Sequence, residues 1–145
     1  MSLLKKIITV LRLPVKDKMF AIRVFWLLHW VKLKLKFVPF KEFAGELGES
    51  GKETPVEPMP ERHAEFNKIH LYIEGIAKYS PFKIVCLPQA LVAKKLLNEK
   101  QIPATIYFGI KKETKDEAHA WVRVGCKFVT GKTDFSQFAL VASFV

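Results

Sequence analysis

The sequence has few cysteines, the residues that cross-link small secreted domains through disulfides, since only two of its 145 residues are of this type. Two cysteines cannot form a disulfide framework, and this usage is typical of a reducing compartment. A chain of this length buries roughly 68–70% of its unfolded surface, which is enough to fold without disulfides or metal. We therefore expect a cytoplasmic protein in which a cysteine matters through its reactivity.

Long apolar runs are also absent from the N-terminal segment, where the longest stretch without a charge runs from Val24 to Val31. A membrane-spanning helix needs about 20 apolar residues, and no small-residue cleavage site follows this run. The sequence therefore predicts neither a spanning helix nor a signal peptide. Half of the residues are hydrophobic, which excludes intrinsic disorder over most of the length.

Acidic residues are nearly missing from residues 1–41, which contain ten Lys or Arg and one acid, Asp17. The net charge of +10 is therefore concentrated there, since residues 42–145 carry fourteen basic and thirteen acidic residues. A non-catalytic basic module that docks on nucleic acid or an anionic membrane is one alternative. The aromatic side chains of this segment, Phe25, Trp26 and Trp30, are expected to pack against the rest of the protein instead, so no nucleic-acid partner is expected.

The pattern of apolar residues predicts helices first and strands afterwards. Helices are predicted from Leu3 to a break at Pro14, from Val15 to about Phe37, and from Phe40 to Gly48, although the alternating residues 32–37 weaken the second. Residues 49–60 contain three prolines and predict an exposed linker. Helices are expected again over 61–79 and from Cys86, and strands over 104–110, 118–124, 127–130 and 138–145.

This order of elements, without βαβ alternation, indicates an α+β fold. We divide the chain into an N-terminal helical segment 1–48, a linker 49–60 and a core 61–145.

Cys86 has the clearest chemical setting of any residue in the sequence. It lies at the start of a predicted helix, with Pro88 tolerated in the first turn. The unpaired backbone N–H groups and the positive end of the helix dipole stabilise negative charge there and can hold an oxyanion. Cys126, in a predicted turn, has no such setting and is interpreted as an incidental exposed thiol.

His119 is the histidine best placed to act as a base, because it lies in a predicted strand between two alanines that leave room for a substrate. A cysteine that can meet a histidine is the minimum for nucleophilic acyl chemistry. The alternative is a buried structural cysteine and an unrelated histidine. The other histidines are interpreted as ordinary surface or packed residues, and no pattern completes a metal site. The sequence thus predicts no metal and no cofactor.

Several motifs follow one another in a fixed order: Cys86-Leu-Pro-Gln-Ala90, Phe108-Gly-Ile110, Ala118-His-Ala-Trp-Val122 and Val129-Thr-Gly131. Together with the N-terminal Leu11-Arg-Leu-Pro14, they resemble the lasso-peptide leader peptidases, bacterial transglutaminase-like cysteine proteases related to the microcin-processing protein. The resemblance covers nearly the whole chain. It implies N-terminal helices followed by a compact transglutaminase-like, papain-like core with an antiparallel sheet.

The resemblance also implies a function and a set of roles. A stand-alone protease would remove the leader from a ribosomally made precursor peptide, with a separate leader-recognition protein and an ATP-dependent lasso cyclase as partners. The family's nucleophile falls on Cys86 and its base on His119. Its acid comes twelve residues after the histidine, where this chain has Gly131, so Asp134 is the nearest substitute. The alternative for Asp134 is an ordinary turn residue, because Gly131-Lys-Thr-Asp134 is typical of a turn. An amidase or acyltransferase on the same Cys–His fold remains an alternative.

Overall fold

The computed structural model describes the backbone of residues 3–145 and the side chains of residue 5 and residues 8–145. The first two residues of the predicted segment 1–48 lie outside this range. In the described part of the chain, five α-helices precede the sheet: α1 (Leu3–Leu11), α2 (Val15–Phe37), α3 (Phe40–Ala44), α4 (His63–Tyr79) and α5 (Cys86–Glu99). Pro14 and Pro39 immediately precede α2 and α3, in agreement with the preference of proline for helix starts.

Four strands form one antiparallel sheet, and this confirms the predicted α+β class. The strands are β1 (Thr105–Lys111), β2 (Ala118–Val124), β3 (Lys127–Thr130) and β4 (Phe138–Phe144), in the order β3-β2-β1-β4. β2 and β3 form the expected hairpin, which turns at Gly125. A short 3₁₀ turn, Phe135–Gln137, leads into β4.

One predicted helix end differs from the structure, because α3 ends at Ala44, before the expected end at Gly48. α2 ends at Phe37 as predicted, and it remains helical through the alternating lysines and leucines. Alternation alone does not make a strand, because a strand here would have no neighbour with which to pair. Among the described residues, no helix is both long and apolar enough to cross a membrane.

A single hydrophobic core joins the N-terminal helices to the sheet. The inner face of α2 contributes Val24, Leu28 and Val31, and α4 contributes Phe66, Ile69 and Ile73. These side chains pack in one cluster with buried residues of α5 and the strands, including Leu97, Ile106 and Val122. Because α2, α4 and α5 contact one another and α5 contacts β2, the start of α5 is held rigidly against the sheet.

Residues 49–60 contain no helix or strand until a 3₁₀ turn begins at Pro60, and most of their side chains are exposed. Their backbone is nonetheless fixed to the sheet. Glu49 and Val145 exchange two backbone hydrogen bonds, and the N–H of Thr54 donates to Thr105 Oγ1 at 2.8 Å. Nη2 of the buried Arg123 donates to the carbonyl of Thr54 at 2.9 Å. The segment thus runs along the sheet as a strap, and the three-part division of the chain stays a prediction.

Candidate active site

Cys86 is the first residue of α5, and its thiol is partly buried. The preceding residue, Val85, gives the helix no side-chain cap. The first N–H groups of a helix have no partner within it, and Pro88 has no N–H to offer. The N–H groups of Cys86 and Leu87 are therefore the ones available to a ligand at this helix start. Gln89 holds the segment that leads into this helix start, because its Nε2 donates a hydrogen bond to the carbonyl of Ile84 at 3.0 Å.

His119 lies in β2, half-buried between aromatic rings. Its imidazole stacks on the ring of Trp121, with the ring centres 5.8 Å apart. The ring of Phe138 is tilted against the imidazole, with the ring centres 5.2 Å apart. His119 Nε2 lies 2.8 Å from the carbonyl oxygen of Gly131. Because a carbonyl can only accept, Nε2 carries the hydrogen of that bond, and Nδ1 is the nitrogen that can take a proton.

Among the described residues, Asp134 forms no hydrogen bond with His119, although the sequence prediction expected one. Its carboxylate begins the 3₁₀ turn and accepts hydrogen bonds from Ser136 N at 3.1 Å, Ser136 Oγ at 2.6 Å and Gln137 Nε2 at 3.1 Å. These bonds, that of the Ser136 hydroxyl first, lower the pKa of Asp134, and its side chain is fully exposed. Asp134 is satisfied within its own turn, which explains why it does not reach the imidazole.

Gly131 occupies the position at which the resemblance expects an acid, and its main-chain carbonyl is the group that His119 Nε2 contacts. The residue has φ +71°, and a Cβ atom there would lie 2.5 Å from the carbonyl oxygen of Ala120. The backbone thus passes too close to β2 for any side chain to fit. That close approach is what brings the Gly131 carbonyl to His119.

Two cavities meet at Cys86 and His119, since both residues line each of them. The first has a volume of about 450 Å³ and is bordered mainly by polar side chains: His63, Asn67, His70, Glu74, Gln89, Thr130 and Lys132. The second, of about 260 Å³, is bordered by apolar side chains: Phe40, Leu87, Phe108, Ile110 and Val141. A chain bound across the cysteine would therefore have a polar environment on one side and an apolar one on the other.

Sequence reasoning missed the polar cavity, because its histidines carry no signal that links them to Cys86. His70 Nδ1 donates to the carbonyl of Val129 at 2.8 Å, which ties α4 to β3, and its Nε2 lies 3.3 Å from Glu74. Thr130 Oγ1 is buried at the same border and has no hydrogen-bond partner among the described residues. Within those residues, no group of three or more His, Cys, Asp or Glu could hold a metal ion.

Comparison with known proteins gives one match. The family model described as the transglutaminase-like superfamily matches residues 31–143. No curated protein and no solved structure matches the chain. The matched range begins within α2, includes the strap, and contains both Cys86 and His119.

Proposed function

The chain belongs to the transglutaminase-like superfamily, and from this premise we propose that it is a cysteine peptidase with Cys86 as nucleophile and His119 as base. The superfamily supports a function of the cysteine protease or acyltransferase kind. One observation carries the proposal: Cys86, at an uncapped helix start, and His119, with Nδ1 available, border the same two cavities.

The proposed reaction begins when His119 Nδ1 takes the proton of the Cys86 thiol. Sγ attacks the scissile carbonyl carbon, and the electron pair of the C=O bond moves to oxygen, where the N–H groups at the start of α5 stabilise it. His119 then gives its proton to the departing amine as the C–N bond breaks and leaves a thioester on Cys86. Water, deprotonated by the same nitrogen, attacks the thioester, which releases the carboxylate and restores the thiol.

The third role, which orients the imidazole, is assigned to the carbonyl of Gly131 in place of a carboxylate. A carbonyl fixes the tautomer and the ring direction as a carboxylate does. It stabilises the protonated imidazole less, because charge-assisted hydrogen bonds are roughly twice as strong as neutral ones. A thiol needs less help than a hydroxyl to lose its proton, so this weaker partner is compatible with cysteine chemistry.

We further propose, on the resemblance of the sequence motifs, that the substrate is a lasso-type precursor peptide whose leader is removed at this site. The open cavities on both sides of Cys86 support an extended peptide as substrate. A separate leader-recognition protein would deliver the precursor, and an ATP-dependent cyclase would use the released core.

The test is cleavage of a lasso-type precursor peptide, followed by mass spectrometry with and without its leader-recognition protein. Cys86→Ala and His119→Ala should abolish cleavage, while Cys126→Ala, which removes the exposed thiol, should keep it. Products that gain the mass of water indicate hydrolysis, whereas products joined to an added amine would indicate the acyltransferase. Parental cleavage by Cys86→Ala would exclude both.

A second readout does not need the substrate. Cys126 is exposed and Cys86 only partly so, so exposure alone would make Cys126 react faster with iodoacetamide. Activation by the helix start and His119 predicts the reverse order, measured by peptide mapping over time. Faster labelling of Cys126, and equal labelling of Cys86 in His119→Ala and the parent, would contradict the proposed pair.

A further inference from the structure

The outer face of α2 carries a row of exposed apolar side chains, which we call the α2 row. Each is 49–79% exposed: Val15, Met19, Ile22, Trp26, Trp30, Leu33 and Phe37. The prediction that the tryptophans of this segment pack against the protein is therefore wrong. The opposite face of α2 fills the core with Val24, Leu28 and Val31, so the helix is apolar on two faces and only one is covered.

The α2 row is straight and runs the full length of the helix. Its members follow one another in steps of 4, 3, 4, 4, 3 and 4 residues. At about 100° per residue they fall within an arc of about 80°, and the helix from Val15 to Phe37 is about 33 Å long. Ile8, Val10 and Leu11 of the adjoining α1 are also exposed. The apolar surface thus continues beyond α2.

Lysines flank the α2 row on both sides. Lys16 and Lys34 lie on one side by helical geometry and Lys18, Lys32 and Lys36 on the other, and none of the five forms an ion pair among the described residues. The one acid of this segment, Asp17, faces inward and pairs with Lys68 of α4. Acidic groups near the row come from other elements: Glu99 pairs with Arg23, and Glu46 borders a cavity with Trp30 and Lys34. The flanks that α2 itself presents are basic, which favours an anionic partner.

A bilayer fits these features better than other anionic partners. Nucleic acid offers phosphates to the lysines but no apolar surface that could cover the seven exposed side chains of the row. A second copy of the chain would bring lysines against lysines. A partner helix in a left-handed coiled coil needs alternating steps of three and four, and the step from Trp26 to Trp30 breaks that alternation. Tryptophan with flanking lysine is typical of helices that lie in the membrane interface.

We propose that the α2 row and the exposed end of α1 dock the protein on an anionic lipid bilayer. α2 would lie parallel to the surface, with its apolar row buried about 5–10 Å deep and its lysines at the headgroups. This inference does not depend on the proposed peptidase activity.

The test is co-sedimentation of the full chain with phosphatidylcholine vesicles that contain or lack phosphatidylglycerol. Binding is expected only with phosphatidylglycerol and should fall as salt is added. Trp26 and Trp30 should shift their fluorescence to the blue on binding, while Trp121 is already buried. The double variant Ile22→Gln/Leu33→Gln, which keeps all three tryptophans, should bind at least tenfold more weakly and lose the shift. Each of Lys18→Gln and Lys36→Gln should weaken binding about fivefold.

The matched controls carry the same changes at exposed positions elsewhere. Val56→Gln/Leu140→Gln and Lys112→Gln should bind vesicles as the parent does, and circular dichroism should show that every variant is folded. The proposal is overturned if anionic vesicles do not bind, or if the Ile22/Leu33 variant binds them as the parent does. Tighter binding to a short duplex DNA or RNA than to the vesicles would assign the surface to nucleic acid. Conversion of a dimer to a monomer by the Ile22/Leu33 variant, with vesicle binding unchanged, would assign it to a second copy.

Discussion

Gly131 links backbone geometry to the proposed chemistry at the scale of one residue. Its carbonyl accepts from His119 only because the chain approaches β2 more closely than a Cβ atom would allow. Gly131→Ala must push this turn away and should lower kcat about 10²-fold, the cost of misplacing a catalytic group by about 1 Å. Steady-state kinetics on the precursor measure it.

Gly51 provides the control for that substitution. It also has positive φ, +76°, but nothing lies within 4 Å of a Cβ atom there. Gly51→Ala should lose about 1–2 kcal/mol of stability from the left-handed conformation and keep its kcat. If both variants lose kcat equally, backbone strain and not the Gly131 carbonyl explains the effect.

Asp134 gives the complementary prediction, because its hydrogen bonds stay within its own turn. Asp134→Asn should change kcat by no more than about twofold, the range of ordinary surface substitutions. Asp116→Asn, at another exposed acid whose pKa is lowered by local hydrogen bonds, is the matched variant. A large loss of kcat in Asp134→Asn but not in Asp116→Asn would show that the Asp134 carboxylate does act on His119.

Lys94 is a buried lysine of α5 whose Nζ donates to the carbonyl of Ala104 at 2.7 Å. Burial lowers the pKa of Lys94 below 10.5. Between the folded pKa and 10.5 the unfolded state binds more protons, so this group makes the protein more stable as pH rises through that window. Urea unfolding of the parent and Lys94→Met should show the parent gaining relative to the variant as pH approaches 10.5. A difference in stability between the parent and Lys94→Met that is constant with pH would contradict the lowered pKa of Lys94.

At the scale of elements, α2 decides whether the N-terminal segment is part of the same cooperative unit. Leu28 on its inner face is fully buried, whereas Ile22 on its outer face is 58% exposed. Leu28→Ala should lower the free energy of unfolding by about 2–5 kcal/mol, and Ile22→Ala should change it by no more than about 0.5 kcal/mol. Denaturant unfolding monitored by circular dichroism and by tryptophan fluorescence measures both. Two separate transitions, with Leu28→Ala shifting only one, would make α2 an independent unit.

The sequence predicted most elements because their local signals agree with the fold. Prolines mark the starts of α2 and α3, and the Gly125 turn sets the β2–β3 hairpin. The early end of α3 could not be predicted, because neighbouring elements rather than the local sequence pattern decide it. The same holds for the α2 row, since a helix with two apolar faces does not reveal which face the core covers.

At the scale of the whole molecule, Cys86 and His119 could be named as candidates from the sequence, because a helix start and a strand are local features. Their shared cavities could not, because they depend on how α4, α5 and the sheet pack. The contact between the Gly131 carbonyl and His119 could not be predicted either, because the residue type does not show which contacts a main-chain atom makes. Asp134 was chosen as the nearest acid in sequence, and its own turn satisfies it first.

The strap across the sheet has a consequence for the order in which the molecule folds. Glu53 accepts a hydrogen bond from the Tyr107 hydroxyl at 2.7 Å. Its Oε2 also lies 3.3 Å from Nη2 of Arg123, a residue seventy positions later in the chain. Contacts that close so long a loop are entropically costly and are expected to form after the folding transition state. Glu53→Gln should therefore speed unfolding several-fold and leave the folding rate nearly unchanged in stopped-flow measurements. Equal changes in both rates would mean that the strap forms early. A strap that forms after the transition state slows unfolding without changing the folding rate, and it therefore sets the lifetime of the folded protein.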